Sequence, residues 1–120
     1  MARILLVDDE ASVRGFLKRG LELDGHDVET AGDGAEGLDV LTAAHGAFDL
    51  LLTDVRMPLM DGIALAQAAA AQWPGLVILI MTGYSDQHER AQGLANLAGI
   101  MLKPFTLGEL RAHVAQALAS

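Results

Sequence analysis

Short apolar runs alternate along the chain with longer amphipathic segments. Ile4-Leu5-Leu6-Val7 is too short for a helix and apolar on both faces, as a buried strand is. A helix is predicted next, with Val13, Phe16, Leu17 and Leu21 on one stripe and Gly25 as its stop. Asp27-Val28-Glu29-Thr30 alternates polar with apolar, the pattern of an edge strand. A second helix carries Leu38 and Leu41, and Leu50-Leu51-Leu52 is a third strand. Asp61-Gly62 opens an Ala-rich helix that ends near Trp73-Pro74-Gly75. Leu76 to Met81 is the fourth and longest strand expected. A fourth helix is expected over Asp86 to Leu97, interrupted by Gly93, and Ile100-Met101-Leu102 is a short fifth strand. Thr106-Leu107-Gly108-Glu109 has the form of a capping box ahead of a last helix striped by Leu107, Leu110, Val114 and Leu118.

Five strand–helix units with short connections imply an α/β fold, a parallel sheet covered on both faces. Five are too few for an eight-stranded barrel. The expectation is an open, doubly wound sheet of flavodoxin-like order 2-1-3-4-5 with five helices, one domain over residues 1–120. No internal repeat or interdomain linker interrupts the pattern.

The bulk properties narrow the setting. The chain has 120 residues, of which 52% are apolar and only 4% aromatic, so aliphatic side chains and methionine must fill the core. A formal charge of −8 repels a phosphate backbone and attracts cations, so a nucleic-acid partner is not expected. The absence of cysteine excludes disulfides, thiolate metal sites and cysteine nucleophiles. No stretch approaches the roughly 18 apolar residues of a membrane span, and no signal peptide is legible at the start. A cytoplasmic protein without a membrane partner is expected.

The polar residues that interrupt this pattern fall at strand ends. Asp8-Asp9-Glu10 follows the first strand, Asp54 the third, Thr82-Gly83 the fourth and Lys103-Pro104 the fifth. Open α/β sheets bind ligands at the carboxyl edge, where strand order reverses. With the expected order that crevice lies between strands one and three, so Asp8, Asp9 and Asp54 share it. Three close carboxylates need a compensating positive charge. An oxygen-rich cluster suits a hard cation such as Mg²⁺, which can neutralise charge on a transferring phosphoryl group. Asp54 is then a candidate nucleophile, Lys103 a point charge for a phosphate oxygen, and Thr82 a hydroxyl donor. Taken singly, each feature has a blander explanation. An Asp pair after a strand caps a helix, Lys-Pro is a turn, and a strand-end threonine is a cap. Four such ends in this order point to one site.

Together these residues resemble the receiver domains of two-component response regulators. The matching pieces are Ile4 to Glu10, Asp54-Val55-Arg56-Met57-Pro58-Leu59-Met60-Asp61-Gly62, Met81-Thr82-Gly83, and Leu102-Lys103-Pro104-Phe105. The resemblance implies that Asp54 accepts a phosphoryl group from a histidine kinase or histidine phosphotransfer protein. It implies Mg²⁺ held by Asp9, Asp54 and the backbone carbonyl of Arg56, with Asp8 acting mainly through a bound water. It further implies that Lys103 and Thr82 contact the phosphoryl oxygens and that the Lys103-Pro104 bond is cis. Where the family usually has Tyr or Phe, three residues before the lysine, this chain has Ile100. Gly83 stands where many members have Ala. A smaller or loop-dominated conformational change is expected. At finer grain the chain is similar to CpdR-type single-domain regulators, on Leu21-Glu22-Leu23-Asp24-Gly25-His26, Gly46-Ala47-Phe48-Asp49, Met81 to Gln87 and Lys103 to Leu107. That implies a stand-alone phosphorylation-controlled adaptor for the ClpXP protease as downstream partner.

The remaining candidates carry less. His26, His45, His88 and His113 sit on separate segments without metal-ligand spacing. His88 and Arg90 read as a solvated face, Trp73 as a packed helix end, and Tyr84 as a loop aromatic. An aspartyl-phosphate phosphatase would need an Asp-x-Asp pattern after the first strand, and a nucleotide or flavin binder a Gly-rich phosphate loop there. Neither is present. A receiver that no longer takes phosphate, acting as an interaction module, is disfavoured by the intact Asp8, Asp9, Asp54, Thr82 and Lys103.

Overall fold

The computed structural model describes residues 2–83, 93, 94 and 96–119. Strands β1 (Arg3–Val7), β2 (Asp27–Ala31), β3 (Leu50–Asp54), β4 (Val77–Thr82) and β5 (Leu97–Leu102) form one sheet. Its order is β2-β1-β3-β4-β5 and every pairing is parallel. Helices α1 (Ala11–Leu23), α2 (Gly34–Ala43), α3 (Gly62–Gln72) and α4 (Leu107–Ala119) complete the fold among the described residues. The helix expected over Asp86 to Leu97 lies largely outside them, but its end is corrected: Leu97 already belongs to β5.

Strand side chains alternate between two cores. Leu5, Val7, Leu51, Ile78 and Ile80 face α2 and α3, with Leu41, Leu65 and Ala66 opposite. Ile4, Leu6, Leu52, Leu79 and Met81 face α1 and α4, with Leu17, Leu21, Leu110 and Val114 opposite. Burial on both faces is why β1, β3 and β4 read as continuous apolar runs rather than alternating ones. At the sheet edge, β2 alternates as its sequence does.

Local chemistry sets the helix boundaries. Asp33 and Asp61 cap α2 and α3, their side chains accepting from the Glu36 and Ala64 amides at 2.8 Å each. The capping box at Thr106 forms in both directions, each bond 3.0 Å long. Gly25, past the end of α1, has φ of +86°, a conformation that glycine adopts without strain.

Two expectations are corrected. Phe16 is not part of the buried stripe of α1, since 58% of it is exposed. Leu17, Gly20 and Leu21 make that buried face instead. Periodicity locates a stripe but not how much of its width the sheet covers. The fifth strand is twice the expected length and equals β4 at 6 residues. Its first half, Leu97-Ala98-Gly99, has little β-branched character, and the register shifts opposite Ile78 and Leu79. That shift breaks the two-residue period a strand shows in sequence.

Candidate functional site

Parallel pairing brings all the strand-end residues to one edge. β1 and β3 are neighbours, with Val7 beside Thr53. Asp8 therefore emerges next to Asp54, the last residue of β3. Although adjacent in sequence, the two N-terminal aspartates are unlike: Asp8 is fully buried and Asp9 exposed. Asp8, Asp9 and Asp54 each offer an oxygen, and these oxygens all lie within 4.8 Å of one another. Among the described residues they are the one group of carboxylates and histidines gathered closely enough to hold a metal ion. The described histidines join no such group, while Tyr84, His88 and Arg90 lie outside the described residues.

Lys103 projects into the cluster from beyond β5. Its Nζ lies 3.1 Å from Asp54 Oδ2 and 3.4 Å from Asp8 Oδ2. The lysine backbone is held too, its amide donating to the Thr82 carbonyl at 2.8 Å. The Lys103-Pro104 peptide is cis, as the resemblance implied. Thr82 is buried at the end of β4. Asp9, Glu10, Asp54, Arg56, Thr82 and Lys103 line a cleft of about 430 Å³, with exposed Gly83 at its side. Ile100 is half-buried against the α2/α3 core and is not part of this lining.

The loop after β3 is packed closely. A Cβ on Gly62 would lie 1.8 Å from the Asp54 carbonyl oxygen, and one on Gly34 would lie 2.2 Å from that of Met60. Only glycine permits these approaches, which seat the β3–α3 loop against the strand end and against α2. Asp54 Oδ1 accepts from the Val55 amide at 2.9 Å, leaving Oδ2 toward Lys103. Asp8 is divided in the same way: Oδ1 accepts from the Glu10 amide at 2.9 Å, and Oδ2 faces the lysine.

Electrostatics set the charge state of the pair. Burial pushes the Asp54 carboxyl above its usual range, and nearby Asp8 adds to that, while Lys103 only partly offsets it. For Lys103, burial pulls the ammonium down, but attraction to Asp54 and Asp8 outweighs it and holds the group above its usual value. One ammonium is thus shared by two carboxylates and does not fully offset the burial of Asp54. The cluster keeps a net negative charge and fits a hard divalent cation, which takes oxygen ligands and retains some of its waters. Asp9, Asp54 and the Arg56 segment border the open side where such an ion would sit.

An open doubly wound sheet with this lysine-bridged acidic cleft defines a class of phosphoacceptor switches, and comparison with known proteins gives the same answer. The family model for the response regulator receiver domain matches residues 4–115, and the chain belongs to that family. The sensor protein EvgS of Escherichia coli K12 is 40% identical over 114 residues, covering 94% of this chain and 9% of EvgS. The transcriptional regulatory protein PrrA of Mycobacterium tuberculosis is 37% identical over 113 residues, covering 93% of this chain and 48% of PrrA. The chain thus spans less than half the length of these curated relatives. Among solved structures, a CheY-like receiver from Methanospirillum hungatei superposes with a TM-score of 0.91 at 29% identity, covering 99% of this chain and 94% of that one. The response regulator TrrA of Thermotoga maritima, in complex with Mg²⁺-BeF, gives 0.85 at 30% identity, covering 98% and 99%. Receiver domains are phosphorylation-activated switches of two-component systems, met by histidine kinases and downstream effectors, rather than conventional enzymes. No helix among the described residues is long and apolar enough to cross a membrane.

The raised Asp54 carboxyl has a consequence for stability. A group whose pKa is raised by folding stabilises the fold below its unfolded pKa, and that contribution is lost as pH rises through the folded value. At neutral pH without metal, ionised Asp54 therefore costs stability. Asp54→Asn keeps the shape and removes the charge. Its melting temperature at pH 7 in chelator should rise by several degrees, roughly 5 °C for each kcal/mol in a chain of this size. The gain should shrink as pH falls through the Asp54 titration. A melting temperature at or below wild type at pH 7 would show that Lys103 already compensates the charge in full.

Proposed function

We propose that Asp54 is the phosphoacceptor of this receiver, taking a phosphoryl group from a phosphohistidine on a histidine kinase or phosphotransfer protein. The observation that carries this reading is the position of Asp54 Oδ2, which faces the cleft beside Lys103 Nζ at 3.1 Å. In the transfer, an Asp54 oxygen forms a bond to phosphorus as the bond from phosphorus to the donor imidazole breaks; the ring, already protonated on its other nitrogen, keeps the electron pair of the broken bond and leaves as neutral imidazole. Lys103 moves from its carboxylate partners to a phosphoryl oxygen, and Thr82 donates its hydroxyl to another. Bound Mg²⁺ would supply neutralisation of the three equatorial oxygens. Its proposed holders are Asp9, Asp54 and the Arg56 carbonyl, with Asp8 reached through water. The charge-complementary oxygens of the cluster support this set, and so does the Mg²⁺-BeF complex of the relative TrrA.

The donor reaches the cleft beside an apolar groove of about 440 Å³. Val13, Phe16, Leu17, Pro104 and Phe105 line it, and it shares Glu10 and Lys103 with the acidic site. This gives exposed Phe16 a use as a contact for the phosphodonor protein. A charge of −8 supports protein partners over nucleic acid. With Ile100 in place of a ring, the readout is proposed to run through the loop after Thr82.

The output is proposed to be that of CpdR-type regulators, control of proteolysis by ClpXP. Its support is the resemblance at Leu21 to His26, Gly46 to Asp49, Met81 to Gln87 and Lys103 to Leu107.

Incubation with Mg²⁺ and phosphoramidate, followed by intact-mass measurement, should add one hydroxylamine-labile phosphoryl group to wild type and none to Asp54→Asn. Equal labelling of both proteins would move the acceptor elsewhere. For the output, ClpXP should degrade a reporter substrate at rates that differ between phosphorylated and unmodified protein. Identical rates across both states and in the protein's absence would exclude the adaptor role.

A further inference from the structure

Arg14 stands on α1, one turn past Glu10, and is half-buried. Its Nη1 donates to the backbone carbonyl of Asp8 at 2.6 Å. Asp8 lies just past the last residue of β1, where strand pairing gives out. Asp8 is held on three sides, and Arg14 is what holds the carbonyl it shares with the Asp8–Asp9 peptide. The Asp8 amide donates to the Ala31 carbonyl at 3.2 Å, the Asp8 carbonyl takes the guanidinium, and the Glu10 amide donates to Asp8 Oδ1. The amide of Arg14 itself donates to the Glu10 carbonyl at 2.9 Å, which closes the ring of bonds around the turn. The guanidinium also borders the β2–α2 turn, where a Cβ on Gly32 would lie 3.5 Å from Nη1. Asp9 is exposed, so the aim of its carboxylate depends on the peptide beneath it.

We propose that Arg14 is a positioning residue for divalent-cation binding: it fixes the Asp8–Asp9 peptide so that the Asp9 carboxylate faces Asp54. The proposal rests on the reading of the acidic cluster as a Mg²⁺ site. Two effects of Arg14 oppose each other there. A fixed positive charge near the site repels a second cation. A ligand held by an outer hydrogen bond binds metal more tightly, typically ten- to a hundredfold. The proposal requires the second effect to be the larger. The signs differ, so the two can be told apart.

The test is calorimetric Mg²⁺ titration of the full chain as wild type, Arg14→Gln, Arg14→Lys and Asp9→Asn, with a melting curve for each in chelator. Arg14→Gln should bind Mg²⁺ roughly tenfold more weakly than wild type at a temperature where its melting curve shows it folded. Arg14→Lys keeps the charge but loses the planar fork, and should fall between the two. Unchanged or tighter binding by Arg14→Gln overturns the proposal, because it leaves only the charge effect. Should that variant not remain folded, Arg14→Lys decides: wild-type affinity would overturn the proposal, and weaker binding would support it. Wild type that binds no Mg²⁺, with Asp9→Asn no different, would remove the metal site itself, a failure distinct from that of Arg14.

Discussion

Two carboxylates at the ends of adjacent parallel strands repel each other, and in this domain that repulsion is only partly relieved at Asp54. Asp8 and Asp54 share the single ammonium of Lys103. Burial leaves Asp54 harder to ionise than an ordinary aspartate even with that partner beside it. A fully compensated pair would be a structural ion bridge with no reason to bind anything. A partly compensated one favours a further cation beside it.

The sheet makes that arrangement possible. β1, β3 and β4 are packed on both faces by aliphatic side chains, so their carboxyl ends are fixed relative to one another. Asp54 ends the most enclosed of these strands, all 5 of whose residues are buried. The close approaches at Gly62 and Gly34 then hold the following loop tightly enough that the Arg56 segment borders the same cleft. Lys103 lies 95 residues from Asp8 in the chain, just past the end of β5, a strand that does not pair with β1. Its placement rests on β4, whose last residue, Thr82, accepts the lysine amide. The strand order thus decides which charges meet.

Much of this is legible in the sequence. Doubly buried parallel strands read as unbroken apolar runs, so β1, β3 and β4 stood out, and the polar residues that stop them marked the site. What stayed hidden has physical reasons. Asp8 and Asp9 are the same residue type at adjacent positions, and only the fold buries one and exposes the other. Phe16 lies at helical spacing from buried neighbours but on the uncovered margin of α1. The start of β5 lacked a strand pattern because small residues and a register shift break the two-residue period. Arg14 carried no signal, because its partner is a backbone carbonyl, and backbone groups are the same in every sequence. The lysine-to-aspartate contacts could be inferred only through the strand order.

The most direct measurement is titration of the aspartate side-chain carboxyls by ¹³C NMR in metal-free protein, repeated with saturating Mg²⁺. If the pair is only partly compensated, Asp54 titrates above the ordinary aspartate value of 3.8 without metal and moves down when Mg²⁺ is added. If Asp54 titrates at or below that value without metal, Lys103 satisfies it fully, and the account of an acidic site held open for a cation and a phosphoryl group is wrong.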